Sequence, residues 1–177
     1  MVEWKSITFV EVVPHDPAWK DAYRREERIL REVLGDEIVE VHHIGSTSVP
    51  ALPAKPIIDI LVGVRDIGRV DLYNDAMARA GYEARGEYGI PGRRFFTKGI
   101  PKRTHNVHVF RVDDPDFRRH LYFRDYLIAH PEAAKQYGQL KKANAAACND
   151  DIEKYCDLKD AFVKDLERKA IEWARSR

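Results

Sequence analysis

The sequence runs to 177 residues, 44% hydrophobic and 33% charged, the balance of a globular chain with enough apolar material for one core. Its 30 Lys and Arg nearly cancel 29 Asp and Glu, so net charge singles out neither nucleic acid nor a membrane surface as a partner. Cys148 and Cys156 are too few for a disulfide framework and lack the spacing of a metal knuckle.

The first predicted element is a strand in "ITFVEVVP", residues 7–14, rich in β-branched residues and ended by Pro14. A helix follows, with Asp16 as its cap and Pro17 at its first position. Its apolar Trp19, Tyr23, Ile29, Leu30 and Val33 recur at helical spacing, and Gly35 closes it. "EIVEVHHI" and "PIIDILVGV" are predicted strands and "GRVDLYNDAMARAGY" a helix. "YEARGEYGI" and "RRFFTKG" form a hairpin joined through Pro91 and Gly92. After one more strand, "RTHNVHVFRV", only helices are expected, beginning at Asp114-Pro115 and broken near His130-Pro131 and Asn149-Asp150. Because strands cluster in the middle, the pattern predicts a single domain over 1–177 of the α+β class. It is a mixed sheet with helices packed on one side and a helical C-terminal region. No stretch has membrane-spanning length and the N-terminus lacks the apolar run of a signal peptide, so a cytoplasmic location is expected.

Chemically capable residues concentrate in "VHHIGSTSVPALPAKPIIDILV", residues 41–62. Gly45 permits close backbone approach. Ser46 and Thr47, with their amides, form either an ordinary turn with capping hydroxyls or a cradle for an anionic group. Asp59 stands inside an apolar strand, where a lone carboxylate is costly. It requires either a structural ion pair with Lys55 or an arginine, or a functional site.

This segment, together with "GIPGRRFF", "RTHNVHVF" and "FRDYLIAHPEAAKQYGQLKKA", resembles the GrpB family over nearly the whole chain and in the family's order. The resemblance implies a polymerase-beta-like nucleotidyltransferase fold in a family whose activity is largely unassigned. Related domains fused to dephospho-CoA kinase in some bacteria imply a link to nucleotides or coenzyme A. The wider superfamily carries a Gly-Ser turn, then a strand with two alternating carboxylates, and a third carboxylate on a neighbouring strand. Gly45, Ser46 and Asp59 match that pattern, but Leu61 occupies the second carboxylate position. Two-metal nucleotidyl transfer needs several carboxylates around its ions, so the departure counts against it.

Alternation places Thr104, Asn106 and His108 on one face of their strand and His105, Val107 and Val109 on the other. If that strand adjoins "PIIDILV", His108 approaches Asp59, and His43 completes a set of two imidazoles and a carboxylate. Such a set suits one zinc, nickel, iron or manganese ion better than magnesium. A register shift of one residue would substitute His42 or His105. Lys55, Arg93 and Arg94 are candidate phosphate ligands, a solvated face being the alternative for the two arginines. Arg124, Asp125, Tyr126 and His130 match a family block, yet i,i+4 packing accounts for most of them; Tyr137 and Lys141 have the same spacing and either close over a pocket or, the favoured reading, play a structural role. The expected ligand is a nucleotide, a coenzyme A derivative or another phosphorylated small molecule, held by Gly45, Ser46, Thr47, Lys55, Arg93 and Arg94, with Asp59 as the catalytic candidate. A noncatalytic binding module and a metal-dependent nucleotidyltransferase or phosphate-transfer or hydrolysis enzyme remain the two functional classes.

Overall fold

The computed structural model describes residues 10–177. The start of the first predicted strand, residues 7–9, lies outside them. From Val10 to Pro14 the expected strand reduces to one bridge, Val13 to Ala54. Val10 instead packs with Cys148, Ile152 and Tyr155, so burial against helices replaces strand pairing there.

Five strands form one sheet among the described residues. The apolar runs at 38–44 and 58–64 become β1 (Ile38–Ile44) and β2 (Ile58–Val64), antiparallel neighbours with Ile44 opposite Asp59 and His43 opposite Ile60. On the other side of β2, strand β5 (His105–Arg111) runs parallel, with Asp59 beside Asn106 and Leu61 beside His108. The hairpin strands β3 (Tyr82–Ala84) and β4 (Arg94–Lys98) complete the order β1-β2-β5-β4-β3. This is the mixed α+β sheet expected, with β2 inside it.

Helix α1 (Ala18–Leu34) covers one face. The Asp16 carboxylate accepts the Ala18 N–H at 2.9 Å and Gly35 turns the chain away at φ 52°, satisfying helix ends that otherwise leave polar groups bare. Trp19, Leu30 and Leu34 meet Ile60, Val62, Val107 and Val109 in the main core, each such side chain worth about 1.5–3 kcal/mol on burial. One acid joins this layer. Glu26, 8% exposed, accepts from Tyr82 Oη at 2.6 Å and from Lys98 Nζ at 2.9 Å.

The helix predicted over 68–82 is divided into α2 (Ile67–Val70), a 3-10 turn at Asp71–Tyr73, and α3 (Asn74–Arg79). Val70 and Met77 reach the core whereas Leu72 is 75% exposed, and the Arg94 guanidinium grips both oxygens of Asp71 at 2.6 and 3.0 Å. Packing and that fork hold a tighter turn where periodicity alone suggests continuity.

The C-terminal region is α4 (Pro115–Ala129), α5 (Pro131–Ala147) and α6 (Ile152–Arg175), broken at the two places expected. Asp114 caps α4 by accepting the Asp116 N–H at 2.8 Å. Phe117 and Leu121 of α4 lie on the second face of the sheet with Ile44, Leu61 and Phe110. Leu127, Tyr137 and Leu166 close a further cluster over Val49 and Leu52. Among the described residues no helix is long and apolar enough to cross a membrane.

Candidate functional site

The second sheet face carries the chemistry. Because strand neighbours in register share a face, Asp59, Asn106 and His108 stand together. Asp59 Oδ1 accepts from Asn106 Nδ2 at 3.0 Å and faces His108 Nε2 at 3.3 Å. On its other nitrogen, His108 Nδ1 meets Arg93 Nη1 at 3.4 Å. An arginine only donates, so Nδ1 is the acceptor and Nε2 carries the proton toward Asp59. Burial pushes the Asp59 carboxyl up, but His108, Asn106 and Lys55 together outweigh it and hold the group below the ordinary carboxylate range.

Gly45 makes this carboxylate's seat. Its φ of 71° is left-handed, and a Cβ there would come within 2.7 Å of Asp59 Oδ2. The close approach expected of Gly45 is therefore to Asp59. The following residues form a 3-10 turn, Ser46–Ser48, that is largely self-satisfied: the Ser48 N–H and hydroxyl both donate to the Gly45 carbonyl, at 3.1 and 2.6 Å. Thr47, 3% exposed, has its hydroxyl 2.9 Å from His43 Nε2.

His43 lies on the opposite face from Asp59. Its ring stacks on Tyr23 of α1 at 4.9 Å, and burial pushes it down to about 4. The alternatives do not complete a metal set either. His42 shares the Asp59 face but bonds Glu40 Oε2 at 2.6 Å, and His105 faces away with Nδ1 2.9 Å from the Thr104 hydroxyl. With both His108 nitrogens engaged and lysine charges near Asp59, these donors do not fit a divalent ion. Among the described residues no group of three or more His, Cys, Asp or Glu is placed to hold one.

The basic candidates separate as well. Arg94 belongs to the α1 side of the sheet and is spent on Asp71. Arg93, 6% exposed, donates to the carbonyls of Glu87 and Tyr88 at 3.1 and 2.6 Å and lies 4.6 Å from the Phe95 ring centre. It braces His108 and is not a free phosphate ligand. Lys55 does face the site: its Nζ is 5.0 Å from the centre of the Tyr155 ring, and its charge acts on Asp59.

Tyr137 and Lys141, for which the sequence favours a structural role over closing a pocket, pack against one another beside Lys55. Lys141 of α5 is 2% exposed, with its Nζ 4.8 Å from the Tyr137 ring centre. Lys159 of α6 lies on the same Tyr155 ring as Lys55, at 5.1 Å. Burial, with Lys159 and Lys55 adding, pushes Lys141 down to about 7. Burial and then Lys159 bring Lys55 to about 8. Among the described residues neither the Lys55 nor the Lys141 ammonium forms a hydrogen bond or ion pair. One turn beyond Lys141, the Nδ2 of Asn144 is buried with no acceptor.

Behind Asp59 is a cavity of about 200 Å³ lined by Gly45, Asp59, His108, Arg119, His120 and Glu167, among others. His120 donates from Nδ1 to the Asp116 carbonyl at 2.6 Å. Burial, with His108 adding, pushes it down to about 3. Arg119 bridges Asp116 and Glu167 at 2.8 and 2.6 Å, tying α4 to α6.

Comparison with known proteins places this geometry. The UPF0157 protein YqkA of Bacillus subtilis is 46% identical over 168 residues, 95% of this chain and 49% of its own length. A dephospho-CoA kinase of Mycolicibacterium paratuberculosis is 30% identical over 193 residues, 94% of this chain and 47% of its own length. The chain thus spans about half the length of each of these two relatives. A crystal structure of the conserved protein GrpB from Enterococcus faecalis superimposes with a TM-score of 0.90 at 46% identity, covering 93% of this chain and 99% of that one. With the GrpB protein family profile matching residues 9–169 as well, the chain belongs to the GrpB family.

Proposed function

We propose that the chain binds a phosphorylated small molecule, with nucleotides and coenzyme A derivatives the first candidates, between the Asp59 face of the sheet and the α5–α6 layer. The observation that carries this reading is Lys141, almost fully buried and with no acid on its ammonium among the described residues. Its fall from 10.5 to about 7 corresponds to a penalty on the order of 5 kcal/mol for the charged form. The ring contact with Tyr137 returns about 0.5–2 kcal/mol. The contact does not offset the penalty, whereas a phosphate shared with Lys55 would answer two charges at once.

Binding is favoured over two-metal transfer by Leu61. It is 0% exposed and packed with Phe110 and Phe117, so the position of a second carboxylate is part of the core. The likeness to a protein named dephospho-CoA kinase supports including coenzyme A derivatives among the ligands tested.

Calorimetric titration with ATP, coenzyme A and inorganic pyrophosphate tests the reading. Binding of any of these, reduced at least about tenfold in Lys141→Met and Lys55→Met, which removes about 1.4 kcal/mol or more each, is the expected result. No binding at millimolar concentration would refute it.

A further inference from the structure

Two cavities that the phosphate reading leaves unused adjoin one another, with Pro50 and Ile128 in the wall of both. The larger, about 590 Å³, lies between the 49–53 loop and helices α4 and α5, and its wall includes Val49, Pro53, Leu127 and Ala134. Helix and loop meet closely there, since a Cβ on Gly138 would come within 2.8 Å of Pro53 Cδ. The smaller, about 360 Å³, is lined by Lys20, Tyr23 and Arg24 of α1 and by His43 and Arg124, among others. Ile128, common to the two, is 45% exposed. Both volumes fall in the range of small-molecule sites, roughly 300–1,000 Å³.

Charge in these linings is one-sided. Among the described residues Asp125 is the single acid in either wall, and Arg124 holds it, with Nε and Nη2 each 2.8 Å from Oδ1. Arg24 has a 3.4 Å contact with Asp21, exposed on both sides and therefore weak. The ammoniums of Lys20, in the smaller cavity, and of Lys135 and Lys142, in the larger, form no hydrogen bond or ion pair among the described residues. What the walls lack is an anion. The apolar arm disfavours an extended peptide as its carrier. Pro50, Pro53 and Pro131 have no N–H to offer, and the amides of Val49, Leu52 and Ala134 already donate to the carbonyls of Ser46, Val49 and His130. A peptide would bury its own amides there without partners, whereas a hydrocarbon chain has none to satisfy.

Going beyond the phosphate reading, and using neither Lys55 nor Lys141, we infer that this groove binds an anionic amphiphile, a medium-chain carboxylate, with its hydrocarbon chain along Val49, Pro53, Leu127 and Ala134 and its carboxylate toward Lys20 and Arg24. Lys135 and Lys142 add to the same field while their methylene stems extend the apolar wall. Each methylene that enters the arm strengthens binding by the water it sheds.

Calorimetric titration of the native chain with hexanoate, octanoate and decanoate, each kept below its micelle-forming concentration, is the test, with octylamine as the cationic counterpart. Affinity is expected to rise at least about fivefold for every two carbons added, and octanoate to bind at least about tenfold tighter than octylamine. Ile128→Asp, a change at a half-exposed position, should weaken decanoate at least about tenfold and leave pyrophosphate affinity within about twofold, so the groove and the phosphate site can fail separately. Equal affinity for octanoate and octylamine, no gain with chain length, or no binding of decanoate at millimolar concentration overturns the inference. Binding to vesicles of anionic phospholipid but to none of the monomeric carboxylates overturns it in favour of a membrane contact. A concentration-dependent dimer that Ile128→Asp dissolves overturns it in favour of a second copy of the chain. The ligand series needs no variant, so poor folding of Ile128→Asp cannot shelter the proposal.

Discussion

Gly45 and Asp59 are fitted to one another: a Cβ on Gly45 would lie 2.7 Å from Asp59 Oδ2 and 3.1 Å from its Cβ, and the backbone there has φ 71°. A side chain at position 45 therefore meets both a dihedral penalty and a collision with a strand that cannot move far. Gly45→Ala is expected to lose about 2–3 kcal/mol of stability. In urea unfolding, the midpoint should fall with the slope unchanged.

Lys141→Met should do the reverse. Replacing an unpaired buried ammonium by an apolar side chain of similar length removes a desolvation cost, and a gain of about 1–3 kcal/mol is expected in the ligand-free protein near pH 6. Thermal unfolding of the two proteins side by side checks it. A lower melting temperature for the variant would mean that the ammonium has a favourable partner.

The same lysine sets a pH dependence whose sign is determined. Its proton leaves near pH 7 in the folded chain and near 10.5 in the ordinary state, so between these values the unfolded chain holds more protons. Stability of the ligand-free protein from this group consequently rises with pH from about 7 toward 10.5, and is lost as pH falls through 7. Phosphate affinity runs oppositely, because only the ammonium attracts the ligand. Titrations from pH 6 to 9 should show weakening through the range where Lys141 and Lys55 deprotonate, about 7 to 8.

Phosphate binding that depends on Lys55 and Lys141 needs no divalent ion to mask charge. Pyrophosphate affinity is expected to stay within about twofold after chelator treatment, a change below about 0.5 kcal/mol. A large loss restored by one of zinc, nickel, iron or manganese would revive the metal set expected from the histidines.

On the far side of the sheet, Glu26→Ala would strip Lys98 and Tyr82 of their shared acceptor. Lys98 is partly open to water, with 24% of its side chain exposed, so the loss is expected at about 2–3 kcal/mol, below that of a fully buried pair. Chemical denaturation measures it.

Periodicity carries the sheet and the helical region, and alternation along residues 104–109 puts Asn106 and His108 on one face; that His108 meets Asp59 follows only from the pairing of β5 with β2. Nor does periodicity carry His43. Which face His43 takes depends on its antiparallel register against β2, and there it pairs with Ile60, one residue away from the Asp59 position. Arg94 fails for the same reason, standing beside Val109 on the α1 side. Lys141 was legible only as one of two residues, with Tyr137, able to close over a pocket. On a helix it looks like one more solvated cation, and only the packing of α5 against the loop before β2 shows that it is buried. In the Ser46–Thr47 turn Ser48 takes the Gly45 carbonyl and His43 the Thr47 hydroxyl, while the amides of Ser46 and Thr47 have no partner among the described residues, so both readings of the turn stand.

The parallel pairing of β2 with β5 also has a kinetic meaning. Asp59 and His108 are 49 positions apart, and the whole β3–β4 hairpin with α2 and α3 lies between them. Parallel neighbours cannot be joined by a tight turn, so the entropy of closing that loop must be met before either residue gains from the contact. Sequence separation of this kind slows folding. A chain in which β5 has not yet joined β2 therefore holds Asp59 beside Lys55 but without the Asn106 and His108 side chains that meet its carboxylate.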